Sequence, residues 1–138
     1  MDYYKLSEEP MQAAKVNKEQ GLYRMSVSMS TLAIDVLLKS VLHRISPDND
    51  LMMGHNHPGI LRVIETKYQK KDSIRQVAKL SRKYFKNSRY SNSEDFPVFT
   101  EKLADEFIGL AQQVKEYVDT ECQATFKDLQ KRFGKHNT

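Results

Sequence analysis

A single cysteine, Cys122, occurs in 138 residues, which rules out an intrachain disulfide, a thiol-rich zinc site and a Cys-x-x-Cys redox pair. A reducing compartment is the expected setting. The opening run from Met1 to Glu9 lacks the basic-then-apolar order of a signal peptide. No uninterrupted apolar run approaches the roughly 20 residues of a membrane span. The expectation is therefore a soluble, cytoplasmic chain with no membrane partner. Glycine (5) and proline (4) are scarce, and neither an internal repeat nor a linker-like stretch divides the chain, so residues 1–138 read as one domain. A Gly-rich phosphate loop and a Gly-x-Ser-x-Gly elbow are both missing.

What remains is helical. Hydrophobic residues at 39% are enough for a core at this length, while a mean hydropathy of −0.66 leaves much of the chain as solvated surface. Apolar residues recur every three or four positions, the period of an amphipathic helix. A first helix is expected from Ser7 or Pro10 to Gln20, with Ser7 as cap, Glu8 and Glu9 at the positive end and Gly21 as its stop. The second, Leu22 to Ile45, is the most apolar and should be central. Turn chemistry at Ser46–Asp50 and Gly54–Gly59 precedes a short helix from Pro58 to Lys70, with Asn56 or His57 near its cap. A fourth helix begins at Asp72 or Ser73 and ends near Phe85. After a polar loop from Lys86 to Asp95, a long pattern resumes at Pro97 and stops at Gly134, as one helix or two. Short connections favour antiparallel neighbours, so the fold class is all-α, an up-and-down antiparallel bundle of four to five helices.

The net charge of +4 conceals an uneven distribution. From Arg62 to Arg89 there are ten basic residues against Glu65 and Asp72, a net +8 that leaves −4 for everything else. Lys71, Arg75, Lys79, Arg82 and Lys86 follow helical steps of three or four and share one face. Cations in such a row repel one another by a few tenths of a kcal/mol per pair. An anionic partner, nucleic acid or nucleotide phosphate, would turn that repulsion into binding. No aromatic residue lies on this face, which argues against a single-strand stacking platform.

A second pattern runs along the central helix, where Arg24, Ser28, Thr31, Asp35, Lys39 and His43 form a polar line. It should face water, a cleft or a partner, because an unpaired buried charge costs several kcal/mol. Asp35 and Lys39 stand in the favoured acid-first order for an intrahelical pair at the bundle rim.

Tyr23, the small residues Ser26, Ser30 and Ala33, then Asp35, Leu38, Lys39 and Leu42 resemble the central helix of HEPN domains (higher eukaryotes and prokaryotes nucleotide-binding), which usually carry Glu where Asp35 stands. Gly54-His55 followed by Ile60 and Leu61 is similar to the family's Gly-His element, and Arg89-Tyr90 to its Arg-Tyr element. The inserted Asn56-His57-Pro58-Gly59 leaves either His55 or His57 as the equivalent histidine, and Ser91 stands where Pro often follows Arg-Tyr. The resemblance spans Gln12 to Val118, leaving residues 120–138 as a C-terminal extension. It implies an α-bundle, frequent homodimerisation and, in many prokaryotic members, pairing with a small nucleotidyltransferase in a toxin-antitoxin-type system.

Some family members are metal-independent ribonucleases that use an Arg and a His a few residues apart near the C-terminal helix. The one counterpart here, Arg132-Phe133-Gly134-Lys135-His136, has the wrong spacing, and Gly134 would break the helix between the two side chains. His55 and His57 have no Asp/Glu/His set around them for a metal, and Asp48 and Asp50 read as turn formers. Neither a metal nor another cofactor is expected, and Cys122 reads as a small buried residue. The resulting expectation is a nucleotide- or RNA-binding module without catalysis. Arg89 and the row Lys71, Arg75, Lys79 and Arg82 would capture phosphate. Tyr90 would stack on a base, His55 would supply a hydrogen bond, and Asp35 and Lys39 would line or brace the cleft. The alternatives are a ribonuclease using Arg89 or Arg132 with His55 or His136, and an interaction module docking its basic face on an acidic protein.

Overall fold

A computed structural model describes residues 2–89 and 98–123. Within these, a one-turn α1 (Tyr3–Leu6) leads into α2 (Glu8–Glu19), α3 (Tyr23–Ile45), a 3-10 turn (Asp50–Met53), α4 (His57–Ile64), α5 (Asp72–Asn87) and α6 (Glu101–Tyr117). A π-helical turn, Val118–Gln123, closes the described chain. The all-α, up-and-down bundle expected from the periodicity is what forms, with α3 packed against all the other helices.

The helix ends follow local chemistry. Gly21 takes φ of 76°, the left-handed conformation that lets α2 turn sharply into α3. Ser7 does not cap α2 as expected. It is itself helical, continuing from α1, and its hydroxyl donates to the Tyr4 carbonyl instead (2.6 Å). Thr100 caps α6, accepting from the Leu103 amide (3.1 Å). The helix expected to reach Lys70 stops at Ile64, because tight turns formed by the amides of Thr66 and Lys67 on the carbonyls of Val63 and Ile64 unwind it.

The core gathers Ile34, Leu37, Leu38, Val41 and Leu42 of α3 with Ile60 and Ile64 of α4, Ile74 and Val77 of α5, and Ala111 and Val114 of α6. On length and composition α3 could cross a membrane, yet 78% of its most apolar window is buried inside the bundle, so its hydrophobicity serves the core. Cys122 is fully buried in the same cluster, and burial pushes its thiol up to about 12. Tyr4 hydrogen-bonds Asp119 and ties α1 to the chain beyond α6.

Small residues on α3 allow close helix packing, and two serines there differ in one respect. Ser26 donates to the Ala14 carbonyl of α2 (2.7 Å), whereas the buried Ser30 hydroxyl has no partner. Removing a made hydrogen bond costs on the order of 1 kcal/mol, while removing an orphaned hydroxyl relieves a desolvation penalty. Urea denaturation should show Ser26→Ala destabilising by about 1 kcal/mol and Ser30→Ala neutral or stabilising.

Candidate functional site

The polar line on α3 does not face water. Ser28, Thr31, Asp35 and Lys39 are all buried, and their partners arrive from the turn before α4 and from α5. The reason is visible at the start of α4. The Asn56 side chain accepts from the Gly59 amide (3.1 Å), with Pro58 in the first turn where its missing N–H costs nothing. A methyl group on Gly59 would come within 2.6 Å of the Asn56 amide nitrogen and displace that cap. With the helix start fixed, His57 points into the core.

Asp35 is the hub. Its Oδ2 pairs with Lys39 Nζ (2.9 Å), and its Oδ1 meets both His57 Nε2 (2.9 Å) and His55 Nδ1 (3.1 Å). His57 is wholly buried, and its Nδ1 lies 2.6 Å from the Ser81 hydroxyl of α5. Nε2–H donates to Asp35, and the Ser81 hydroxyl beside Nδ1 also donates to the Ala78 carbonyl (3.2 Å). Burial alone would raise the Asp35 carboxyl, but the hydrogen bonds and charges of His57 and Lys39 outweigh it and hold the group below the usual carboxylate range. Both candidate histidines thus reach the same oxygen, in different environments. The His55 side chain is 49% exposed and its Nε2 is unpartnered among the described residues.

Phe85 of α5 organises the rest. The His55 ring stacks on it at 4.0 Å, His57 meets it edge-on at 5.6 Å, and the Arg89 guanidinium lies 3.7 Å from its centroid. Arg89 also donates to the Ser28 carbonyl (2.8 Å), the Thr31 hydroxyl (3.1 Å) and the Phe85 carbonyl (2.9 Å). Arg24 donates to the Ser88 carbonyl (2.9 Å), so two arginines close the C-terminal end of α5. Arg89, expected to capture phosphate, spends these donors on the chain itself. Ser28, Thr31, Ser81, Phe85 and Arg24 were not singled out as site residues. The polar spacing on α3 marked Arg24, Ser28 and Thr31, whereas nothing local marks Ser81 or Phe85.

The basic row on α5 separates into two groups. Lys71 pairs with Glu121 (3.1 Å), and Arg75 with Glu65 (2.8 Å) and more distantly Asp72 (3.8 Å). Lys79, Arg82 and Lys86 are exposed, with no carboxylate partner among the described residues. Ile74, Val77, Ser81 and Phe85 fill the opposite, buried side of the helix. Tyr90, Arg132 and His136 lie outside the described residues, and among those described no group of three or more His, Cys, Asp or Glu is arranged to hold a metal ion.

The HEPN domain family model matches residues 1–122. The chain belongs to the HEPN family. Among solved structures, the crystal structure of an archaeal HEPN homologue shares the fold with a TM-score of 0.67, covering 86% of this chain and 93% of that one at 23% identity. No curated protein matches the chain. The family match reaches the N-terminus and ends at the buried Cys122, so it extends beyond the Gln12–Val118 span of the motif resemblance.

Asp35→Asn leaves Lys39 buried without its counter-charge and should cost about 3–5 kcal/mol at neutral pH, whereas Asp35→Leu/Lys39→Met removes both charges and should recover only part of that loss, because the buried His57 Nε2–H then lacks an acceptor. Because the folded-state pKa of Asp35 is lowered, its contribution is complete above the unfolded value of 3.8 and fades as the pH falls below that through the folded-state value. Urea titrations at successive pH values should therefore show the gap between wild type and Asp35→Asn closing below about pH 4. A gap independent of pH would contradict the ionised hub.

Proposed function

We propose that this HEPN protein is a non-catalytic module that binds the phosphates of RNA or a nucleotide through the outer face of α5. The observation that carries the reading is the set Lys79, Arg82 and Lys86, exposed on one face of a helix and without a carboxylate partner among the described residues. Exposed, unpaired cations one helical turn apart repel in the free protein and gain from polyanion contact. His55 Nε2 adds one outward hydrogen-bonding atom, and Tyr90 would supply the stacking surface. Asp35, Lys39 and Arg89 brace the α3–α5 contact, because their polar atoms are engaged within the bundle.

Self-association and a nucleotidyltransferase partner extend this proposal from the family resemblance. Ribonuclease action pairing Arg89 with His55 is the less favoured reading, since Arg89 is turned inward onto the Ser28 and Phe85 carbonyls.

Binding of single-stranded RNA, followed by fluorescence anisotropy at several salt concentrations, should weaken with a log–log slope of about −0.7 per phosphate contacted. Arg82→Glu and Lys86→Glu should each weaken binding and reduce the slope by about 0.7. A flat titration, or RNA cleavage by the purified protein that disappears in His55→Ala, would overturn the reading. Charge-reversal variants that lose a copurifying acidic protein while no RNA is bound would replace it with a docking role.

A further inference from the structure

Between α4 and α5 lies a pocket of about 330 Å³, lined by Pro58, Leu61, Arg62, Glu65, Arg75 and Lys79. Its volume falls at the lower end of the roughly 300–1,000 Å³ typical of small-molecule sites. Three cations and one carboxylate line it, a net of two positive charges.

Those charges are not equivalent. Glu65 is almost fully buried, with 6% of its side chain exposed, and it fixes Arg75 through Nε at 2.8 Å. Arg75 is thereby positioned through Nε, while its Nη1 has only the distant Asp72 carboxylate nearby. Arg62 and Lys79 are exposed and have no ion-pair partner among the described residues, so they are available to an incoming anion. Asp72 reaches Arg75 only at 3.8 Å from the solvent side and does not line the pocket. Pro58 and Leu61 supply an apolar wall.

We infer that the α4–α5 pocket is a site for a dianionic phosphate monoester, as found at the end of a 5′-nucleotide, held between a pre-set Arg75 and the free side chains of Arg62 and Lys79. A monoester carries about −1.5 to −2 charges near neutral pH, which matches the net +2 of the lining, whereas an internal phosphodiester carries one. The guanidinium groups suit this ligand because they offer paired N–H donors to two phosphate oxygens. The inference rests on the phosphate-binding reading of α5 and deepens it, assigning terminal rather than backbone phosphate to this end of the helix. Arg62, which is not in the row on α5, becomes a binding residue. Glu65 becomes a positioning residue acting through Arg75.

The test titrates the full chain with adenosine 5′-monophosphate, its phosphate methyl ester, adenosine and inorganic phosphate, read by calorimetry and by NMR shifts of α4 and α5 amides. The monophosphate should bind, the methyl ester should bind roughly tenfold more weakly, and adenosine should not bind. Arg62→Ala and Lys79→Ala should each lower monophosphate affinity by about tenfold, and both replace exposed side chains so that the fold is retained. Glu65→Gln should weaken binding less than Arg75→Ala, with both variants checked by circular dichroism. Equal affinity of monophosphate and inorganic phosphate would support the site and assign it to free phosphate. Equal affinity of monophosphate and methyl ester, or no binding of either, would overturn the inference. RNA lacking a terminal phosphate provides the separation from the broader reading. If it binds through Arg82 and Lys86 while the monophosphate does not, the pocket fails alone. If the monophosphate binds and RNA does not, the outer-face reading fails and the pocket stands.

Discussion

A carboxylate buried in the middle of the longest helix has to be matched from inside the protein, and Asp35 sets that requirement for this bundle. Removing a carboxylate from water costs several kcal/mol even after relaxation. The Lys39 pair alone would leave Oδ1 unsatisfied, and the turn between α3 and α4 supplies its partners through His55 and His57. Because His57 is also bonded to Ser81, the same demand fixes the position of α5 along α3. Three elements are thereby held at one register by hydrogen bonds whose directions are far more specific than apolar contact. Phe85 follows from this placement, one turn beyond Ser81, and it offers its ring to both histidines and to Arg89.

The surface electrostatics follow a different logic. Exposed ion pairs contribute little, so Lys71 with Glu121 matters less for stability than for where it removes positive potential. The end of α5 near Asp72 is partly neutralised by Glu121 and Glu65, while Lys79, Arg82 and Lys86 have no carboxylate partner among the described residues. The row therefore has a polarity along the helix that residue spacing does not contain. The cations without a carboxylate partner among the described residues run from Lys79, which borders the α4–α5 pocket, to Lys86, next in sequence to the Phe85 that stacks on His55.

Much of the architecture is legible in the sequence because helical periodicity is a local signal. The limits of α2, α3 and the start of α5 lie within a residue or two of where capping and apolar spacing put them. Two local readings miss for identifiable reasons. Ser7 has cap chemistry but is already inside a helical run begun at Tyr3, so its hydroxyl turns back. Tyr68 keeps the apolar period beyond Ile64, yet a half-buried tyrosine on a turn satisfies the same spacing as one on a helix. The site is less legible, since its bonds span the chain. The Ser28 carbonyl and Arg89 are 61 positions apart, and His57 and Ser81 are 24 apart. The spacing on α3 shows that a polar line exists, but a line satisfied by distant residues and a line facing water look the same in one dimension.

The division of labour on α5 joins these threads. Its inner face, Ile74, Val77, Ala78, Ser81 and Phe85, is committed to the core and to the Asp35 network. Its outer face carries cations that the fold does not need for stability, and that mildly oppose helix formation where they neighbour one another. A helix can hold such a row only if tertiary contacts on its other side more than offset the repulsion. The buried hub meets that condition here, since Ser81 and Phe85 tie α5 to the turn and to α3 through directed contacts as well as apolar area. Stability and recognition are thus separated by side of the helix rather than by segment of sequence. Replacements on the two faces lie far enough apart in their partners for their effects to add. The network inside the bundle is therefore what permits the charge outside it.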